Sequence, residues 1–470
     1  MPPNCLLSNA ARYDTQSIVK SWSVRLATIL ALVWLFSGGC ASDDESHDLD
    51  REIALATRRY RITAISPAPS QPPELVELGR FLFFDKELSG NRDTACATCH
   101  HPLFALGDGL SLSIGTGGEG FGSSRALGKA RSFIPRNAPE FFNRGTPGWE
   151  VMFWDGRVRS IADGDFETPA GAVLPEGLTH LLAAQAMFPV TSRDEMRGHP
   201  GDRDVFGNVN ELASFEDQDF PGIWRALMQR LLSVPKYVDL FVRAFPDIAP
   251  QAFGFQHAAN AIAAFEIEIG NLTDTPWDRY LRGDTAAVSE AAKRGALVFL
   301  GKGRCAECHI GPLLTDQKFY VLAVPQVGPG KGAAAPEDFG RGGVTNRLED
   351  RYAFRTPPLR NVAVTGPWMH DGAYTSLEAA VRHHLDAVQA LQEYDVRQLD
   401  EHLQPLARLG EEQQSRLLAN LDSRLREPIQ LAPEELGDLL TFLHALTDPG
   451  VFRLQELVPD SVPSGLPVDR

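Results

Sequence analysis

Cysteine and positive charge are both scarce in this sequence. Four of its six cysteines fall in two short motifs and the other two lie near the N-terminus, so none is left for a structural disulfide. The 45 lysines and arginines are outnumbered by 61 aspartates and glutamates, and no basic cluster stands out. Because a nucleic-acid-binding face needs a basic patch, this balance argues against nucleic acid as a partner. An acidic surface suits either simple solubility or the steering of a basic partner protein.

Long apolar runs are also lacking. The run at residues 26–36 is too short to span a membrane stably, and it has basic residues before it and small residues after it, as a signal peptide does. The small residues before Cys40 resemble a bacterial lipobox. This predicts a signal peptide over residues 1–39, a lipid on Cys40 and a polar tether over residues 40–72. The alternatives are an ordinary signal peptide or an uncleaved anchor, and each places the body of the protein outside the cytoplasm, on the periplasmic or envelope side.

The pentapeptide Cys-X-X-Cys-His, in contrast, occurs twice, at residues 96–100 and 305–309. The two thiols of such a motif bond covalently to the vinyl groups of one porphyrin, and the histidine binds the iron as an axial ligand. A zinc or thiol redox site would need partner cysteines or a thioredoxin-like context, and neither is visible. The sequence therefore predicts two haem c groups. Their attachment residues are Cys96, Cys99 and His100 for the first and Cys305, Cys308 and His309 for the second.

The segment before each motif is repeated. Residues 79–84 (GRFLFF) and residues 294–300 (RGALVFL) each have the pattern of a helix that ends in a turn just before the haem-binding residues. Apolar residues at intervals of three and four predict further helices over residues 220–245 and 257–269. No strand-rich region competes with them. We therefore expect a mainly α fold built from two tandem cytochrome c-like helical domains, each around one covalently bound haem c.

The length of the chain agrees with two domains. About 400 residues follow the signal, which is more than one hydrophobic core usually serves. We expect an N-terminal cytochrome c domain over residues 73–278 and a C-terminal one over residues 279–450. A tail would occupy residues 451–470.

Three further segments carry a resemblance to one family. They are FWDGR from Phe153, PVTSRDEM from Pro189 and FRTPPLRNVAVTGPWMHDG from Phe354. Together with the two motifs, they make the chain similar to the bacterial di-haem cytochrome c peroxidase and MauG family over about residues 73–449. The resemblance implies that hydrogen peroxide reacts at the first haem, which needs an open sixth coordination position.

The resemblance also implies the residues above the first haem. Glu195 matches the distal glutamate, a carboxylate that moves a proton between the two peroxide oxygens. Pro189 and Gln185 match its distal neighbours. The alternative for Glu195 is a solvated loop residue. Thr116 stands where many peroxidases of the family carry a histidine that caps the resting haem, so the first haem is expected to be open when oxidised, as in the MauG-like branch.

The second haem is expected to be closed. Its sixth ligand is a methionine or a tyrosine in relatives, and the matching position in this chain is His384, which predicts a haem with two histidine ligands and a lowered reduction potential. Competing ligands are His383, Tyr374 and Met369, in that order. The alternative for His383 and His384 is a pair on an exposed helix surface.

Other matches concern the space between the haems. Trp154 matches a tryptophan that relays electrons between them, and the alternative is a core aromatic packed beneath a domain interface. Asn137, Thr365 and Pro367 match positions that supply oxygen ligands to a calcium ion. His370 is expected to order the inter-domain loop.

These residues predict an exported di-haem peroxidase whose second haem stores or supplies an oxidising equivalent. Its electrons would come from a small cytochrome or cupredoxin, or from a protein side chain that is oxidised, as in the MauG branch. The alternatives are a non-catalytic di-haem electron-transfer cytochrome and a structural or sensory descendant that keeps haem without a substrate.

Overall fold

The computed structural model describes the backbone from Cys40 to Arg470 and the side chains from Asp48 onward, except that of Asp163. The predicted signal peptide, residues 1–39, and its apolar run lie outside the described residues. No helix within residues 40–470 is long and apolar enough to cross a membrane.

Helices make up most of the regular structure, and their starts follow from local sequence. Asp219, Ser289 and Ser376 each accept a hydrogen bond from a backbone N–H of the helix that follows, and proline opens several others. The α-helices are α1 (Cys40–Arg59), α2 (Pro73–Phe84), α3 (Cys96–Cys99), α4 (Leu181–Ala186), α5 (Phe220–Leu232), α6 (Pro235–Ala244), α7 (Phe255–Gly270), α8 (Pro276–Leu281), α9 (Glu290–Leu300), α10 (Gly342–Thr345), α11 (Leu377–Leu385), α12 (Ala387–Gln392), α13 (Glu411–Ala419) and α14 (Pro433–His444).

Strands are short and form two small antiparallel sheets in the described residues. The first has the order β1–β2–β3 and the second pairs β4 with β5. The strands are β1 (Val151–Met152), β2 (Val158–Ser160), β3 (Phe166–Glu167), β4 (Phe319–Tyr320) and β5 (Phe354–Arg355). The mainly α class predicted from the sequence is confirmed.

The two repeated helices are packed in the same way. A Cβ at Gly79 of α2 would overlap the carbonyl oxygen of Ala261 in α7, and a Cβ at Gly295 of α9 would overlap that of Asp438 in α14. Glycine therefore permits the close approach of two helix backbones in each half of the chain. The first haem motif begins at Cys96, after α2 ends at Phe84, and the second begins at Cys305, after α9 ends at Leu300.

The core itself is divided along the sequence. The largest apolar cluster draws most of its residues from 65–269, and a second cluster combines residues 277–314 with 362 and 439–446. Residues 53–470 form one compact unit. The boundary predicted between residues 278 and 279 stays a prediction.

The segments before and after the two expected domains are more ordered than the words tether and tail imply. The tether expected over residues 40–72 contains helix α1, and its Ile53 and Ile62 are buried in the second cluster. The tail expected after residue 450 packs on the first cluster through Val451 and Val462. The sequence does not reveal these contacts, because each apolar residue stands among polar ones and its partners lie hundreds of residues away.

Candidate active site

The first motif lines a cavity in the first half of the chain. Cys96, Cys99 and His100 all face it. The Nδ1 atom of His100 lies 3.1 Å from the carbonyl oxygen of Leu106. Since a carbonyl only accepts, Nδ1 carries the proton and Nε2 keeps its lone pair for a metal. Burial lowers the pKa of His100 to about 4, so the ring is neutral, as a ligand must be.

The second motif repeats this arrangement. Cys305, Cys308 and His309 line a second cavity, and Nδ1 of His309 lies 2.9 Å from the carbonyl oxygen of Leu314. Burial lowers the pKa of His309 to about 4. The two cavities enclose about 1150 and 1520 Å³ of space outside protein atoms, including their open mouths. Two thiols, a neutral imidazole with a free Nε2 and a large apolar cavity fit one haem c in each half.

The predicted distal residues of the first haem come together. Glu195, Gln185 and Pro189 line the same cavity as His100. Glu195 lies on one turn of π-helix, Arg193–Arg197, a form that is frequent at functional sites. Its backbone carbonyl accepts the N–H of Thr116 at 3.0 Å. This contact fixes the turn that carries Glu195.

Thr116 itself does not reach the cavity. It is buried, and its hydroxyl donates to Asp93 Oδ1 at 2.9 Å. Asp93 Oδ2 also accepts the N–H of Gly117 at 2.7 Å. The loop is therefore held to its own half of the protein. It presents no imidazole, because the residue at the expected position is a threonine.

His384 occupies the second cavity with His309. It lies on α11, and its Nδ1 is 2.8 Å from the carbonyl oxygen of Ala380, so Nε2 again keeps a lone pair. Burial lowers the pKa of His384. The pKa of His309 is lowered mainly by its own burial, and the nearby His384 lowers it further. The structure thus brings the two histidines into one cavity.

The contacts of the competing ligands distinguish them from one another. Nδ1 of His383 is 2.7 Å from the hydroxyl of Tyr374, and Nε2 is 2.7 Å from the carbonyl oxygen of Leu322. Both ring nitrogens are therefore engaged, and neither His383 nor Tyr374 lines the cavity, whereas Met369 does. His383 is fully buried, so the alternative of an exposed histidine pair does not hold. His383 and His384 are adjacent on α11 but lie in different environments. The sequence alone does not reveal this difference.

Trp154 lines both cavities. Its indole Nε1 donates to the carbonyl oxygen of Asn137 at 3.0 Å, and its own carbonyl accepts the N–H of Arg355 at 2.8 Å. It lies in the turn between β1 and β2, close to β5 of the other half. The side chain is therefore both a buried aromatic and the shared wall of two cavities.

The predicted calcium residues lie in two separate segments of the chain. Asn137 is buried, and its amide donates to the carbonyl oxygen of Leu110 at 3.0 Å. Thr365 and Pro367 are half-buried in the loop after residues 362–364. No group of three or more His, Cys, Asp or Glu side chains within the described residues is placed to hold a metal. Calcium stays a prediction.

His370 links the two halves. It is buried, its ring stacks on Phe354 at 3.5 Å between centroids, and its carbonyl accepts the N–H of Asn137 at 2.8 Å. Burial lowers the pKa of His370 to about 3, so the ring is neutral. These contacts agree with an ordering role.

Two functional features were missed by sequence reasoning. Arg136 bridges Asp155 and Asp338, at 2.6 Å to each, and so joins the two halves beside Trp154. Burial opposes ionisation of Asp338, but Arg136 lowers its pKa to about 2. Glu266 lines the first cavity, and burial raises its pKa to about 8. No local motif marks these groups, since their roles arise from contacts between distant segments.

Known proteins resemble this chain over most of its length. The family model for di-haem cytochrome c peroxidase matches residues 73–286. The methylamine utilization protein MauG of Methylorubrum extorquens is 30% identical over 78% of this chain and 85% of its own length. Cytochrome c551 peroxidase of Pseudomonas aeruginosa is 28% identical over 90% of this chain and 93% of its own length.

Solved structures share the fold. A MauG-like protein associated with microbial copper homeostasis has a TM-score of 0.57 and 25% identity, covering 84% of this chain and 97% of its own. The diheme peroxidase BthA of Burkholderia thailandensis has a TM-score of 0.55 and 21% identity, covering 87% and 94%. The predicted pair of cytochrome c-like domains is confirmed by these similarities.

Proposed function

Because the chain belongs to the di-haem cytochrome c peroxidase and MauG family, an oxidoreductase family that carries two haem c groups, we propose that it is an exported peroxidase that reduces hydrogen peroxide at the haem on His100. The second haem, on His309, holds or supplies an oxidising equivalent. The observation that carries this proposal is the difference between the cavities: Glu195 faces His100 in one, and His384 accompanies His309 in the other.

Glu195 performs the proton transfer. When bound, the first haem supplies the redox-active iron at which peroxide reacts. The carboxylate of Glu195 takes the proton from one peroxide oxygen and delivers it to the other, which leaves as water. The turn that carries Glu195 is held through Thr116, so the carboxylate is positioned before peroxide arrives.

His384 keeps the second site for electron transfer. Its Nε2 would bind the iron of the second haem, so small ligands would be excluded there. Trp154 then relays electrons between the two sites, because an indole is among the more readily oxidised side chains and this one borders both cavities. The electrons come from a small cytochrome or cupredoxin, or from a protein side chain that is oxidised, a MauG-like reaction.

The test is Glu195→Gln in the protein with both haems attached. We expect the peroxide-dependent rate to fall by roughly 10²–10⁴-fold, since a general acid–base contributes that much, while the haem spectra stay unchanged. Asp194→Asn is the matched control, because Asp194 is the adjacent carboxylate and contacts His199 at 2.9 Å, away from the cavity. Unchanged turnover in Glu195→Gln would remove the assigned role.

The alternative function is a non-catalytic di-haem electron carrier. Its mark would be a wholly low-spin spectrum of the oxidised protein, with no response to peroxide. Stoichiometric peroxide added to the oxidised protein separates the two, and a spectral change without prior reduction indicates the MauG-like branch. Thr116, in place of a capping histidine, favours that outcome.

Export and a lipid at Cys40 belong to the same proposal and rest on the sequence. We expect the full-length protein to fractionate with membranes, and Cys40→Ser to release it into the soluble envelope fraction. Identical fractionation of the two proteins would contradict lipidation while leaving export intact.

A further inference from the structure

Arg355 is a buried cation that forms no ion pair with a described carboxylate. Its side chain is 1% exposed and lines the second cavity. Nε donates to the carbonyl oxygen of Phe153 at 3.1 Å and Nη1 to that of Thr356 at 3.1 Å. The Nη2 group has no hydrogen-bond partner among the described residues. No described carboxylate forms an ion pair with it.

Two other buried arginines have carboxylate partners. Arg360 pairs with Asp278 at 2.7 Å, and Arg144 contacts Glu140 at 3.4 Å. Arg144 and Arg355 both lie 5.0 Å from the ring centroid of Trp149, so they share a neighbourhood and only one of them is paired. Burial lowers the pKa of Arg355 to about 9; Arg144 adds to this shift and Glu140 opposes it.

An isolated buried charge is strongly unfavourable. Burial of an ion costs several kcal/mol, and an unmade hydrogen bond of a buried donor costs about 1–3 kcal/mol more. A guanidinium seldom loses its proton, and its planar fork fits a carboxylate in two parallel hydrogen bonds. Arg355 lines the second cavity, so an anion is expected to reach it from there.

We propose that Arg355 binds a carboxylate of the haem attached to Cys305 and Cys308. This rests on the family's two haem c groups and on no step of the peroxide reaction. A haem c has two propionate carboxylates on the edge opposite its thioether bonds, and this edge would then face Trp154 and the first half of the chain. Arg355 also donates its backbone N–H to the carbonyl of Trp154 at 2.8 Å. One residue would thus align the haem edge with Trp154.

The pairing has an electrostatic consequence. A fixed positive charge beside the haem disfavours the oxidised iron, which carries more positive charge, and so raises the reduction potential. It also keeps the propionate ionised, because an opposite charge lowers the pKa of a carboxylate. Without Arg355, the buried propionate would take up a proton more readily, and the potential would change with pH.

The test is the reduction potential of the second haem in Arg355→Gln, measured by spectroelectrochemistry without peroxide. We expect the potential at pH 8 to fall by an amount equal to about a tenfold change in the redox equilibrium, which is about 59 mV for one electron. The difference from the native protein should shrink at lower pH as the freed propionate is protonated. Arg355→Lys, which keeps the charge, should retain most of the native potential.

Arg341→Gln is the matched control. Arg341 donates to the carbonyl of Gly156 at 2.8 Å in the same region but does not line the second cavity. We expect no shift from this change. An equal shift in both glutamine variants, or an unchanged potential in Arg355→Gln, would overturn the proposal.

A measurement on the native protein covers the case in which Arg355→Gln does not fold. Redox-difference infrared spectra of protein carrying ¹³C-labelled propionates, recorded across the potential of the second haem, should show at least one labelled carboxylate of that haem that stays ionised between pH 5 and 8. Spectra in which every labelled carboxyl group of the second haem is protonated in that range would overturn the proposal. Because peroxide is absent, failure of the Glu195 assignment would leave both results unaffected.

Discussion

Replacing His384 by alanine tests the asymmetry of the two haem sites most directly. His384 lines the second cavity with Nδ1 held by the Ala380 carbonyl at 2.8 Å, so its Nε2 is the atom offered to the iron. In His384→Ala we expect the second haem to lose its low-spin signal and to become high-spin or to bind water. The first haem should be unaffected.

The adjacent His383 is not expected to replace it. Turning that ring toward the cavity would break its contacts with Tyr374 and Leu322, both 2.7 Å long, and leave a buried hydroxyl and a buried carbonyl without partners. Each such group costs about 1–3 kcal/mol, so the change costs about 4 kcal/mol in total. At 1.4 kcal/mol for each factor of ten, the turned form would be about one molecule in a thousand.

Electron paramagnetic resonance of the oxidised protein measures the outcome, with His402→Ala as the control because His402 is an exposed histidine. A low-spin signal of two imidazoles that survives in His384→Ala would refute this reasoning. A new low-spin species with a higher reduction potential would identify Met369, which also lines the cavity, as the replacement ligand.

Three further outcomes are expected. Arg136 lowers the pKa of Asp338 from 3.8 to about 2. The stability that their ion pair contributes is therefore complete above pH 3.8 and is lost as the pH falls toward 2. The denaturant concentration at the unfolding midpoint, measured against pH, should show this loss, and Asp338→Asn should abolish the pH dependence. Trp154→Phe should slow electron exchange between the haems in stopped-flow traces while leaving both haem spectra intact; an unchanged rate argues against the relay. A Cβ in Gly115→Ala would overlap the Glu195 carbonyl oxygen, so we expect the peroxide rate to fall and haem content to persist.

The haem-binding sides can be predicted from local sequence, because their determinants lie close together. Cys96, Cys99 and His100 fall within five residues, and the carbonyl that orients the histidine is that of Leu106, only six residues on. The match to the sixth-ligand position of relatives likewise selected His384 over its neighbour. In the structure, His383, the residue before His384 on α11, contacts Tyr374 and Leu322 instead of lining the cavity.

Contacts between distant segments were beyond the reach of the sequence. Arg136 and Asp338 are separated by 202 residues, and each has the appearance of an ordinary surface charge until the fold buries both. Arg355 lies inside the segment that carries the family resemblance, yet nothing in its neighbours indicates that its guanidinium lacks a partner. Burial and pairing are properties of the assembled interface, so they follow only from the packed structure.

The duplicated scaffold explains why the asymmetry must come from other segments. Gly79 and Gly295 produce the same helix contact, and the two proximal histidines are oriented by the same kind of carbonyl bond. Such matching supports would give each iron the same ligand on one face. The opposite faces are built from unrelated elements, a π-helical turn that carries Glu195 and an α-helix that carries His384. An exchange of these distal elements, rather than of the haem motifs, is therefore the change that would be expected to reverse the roles of the two haems.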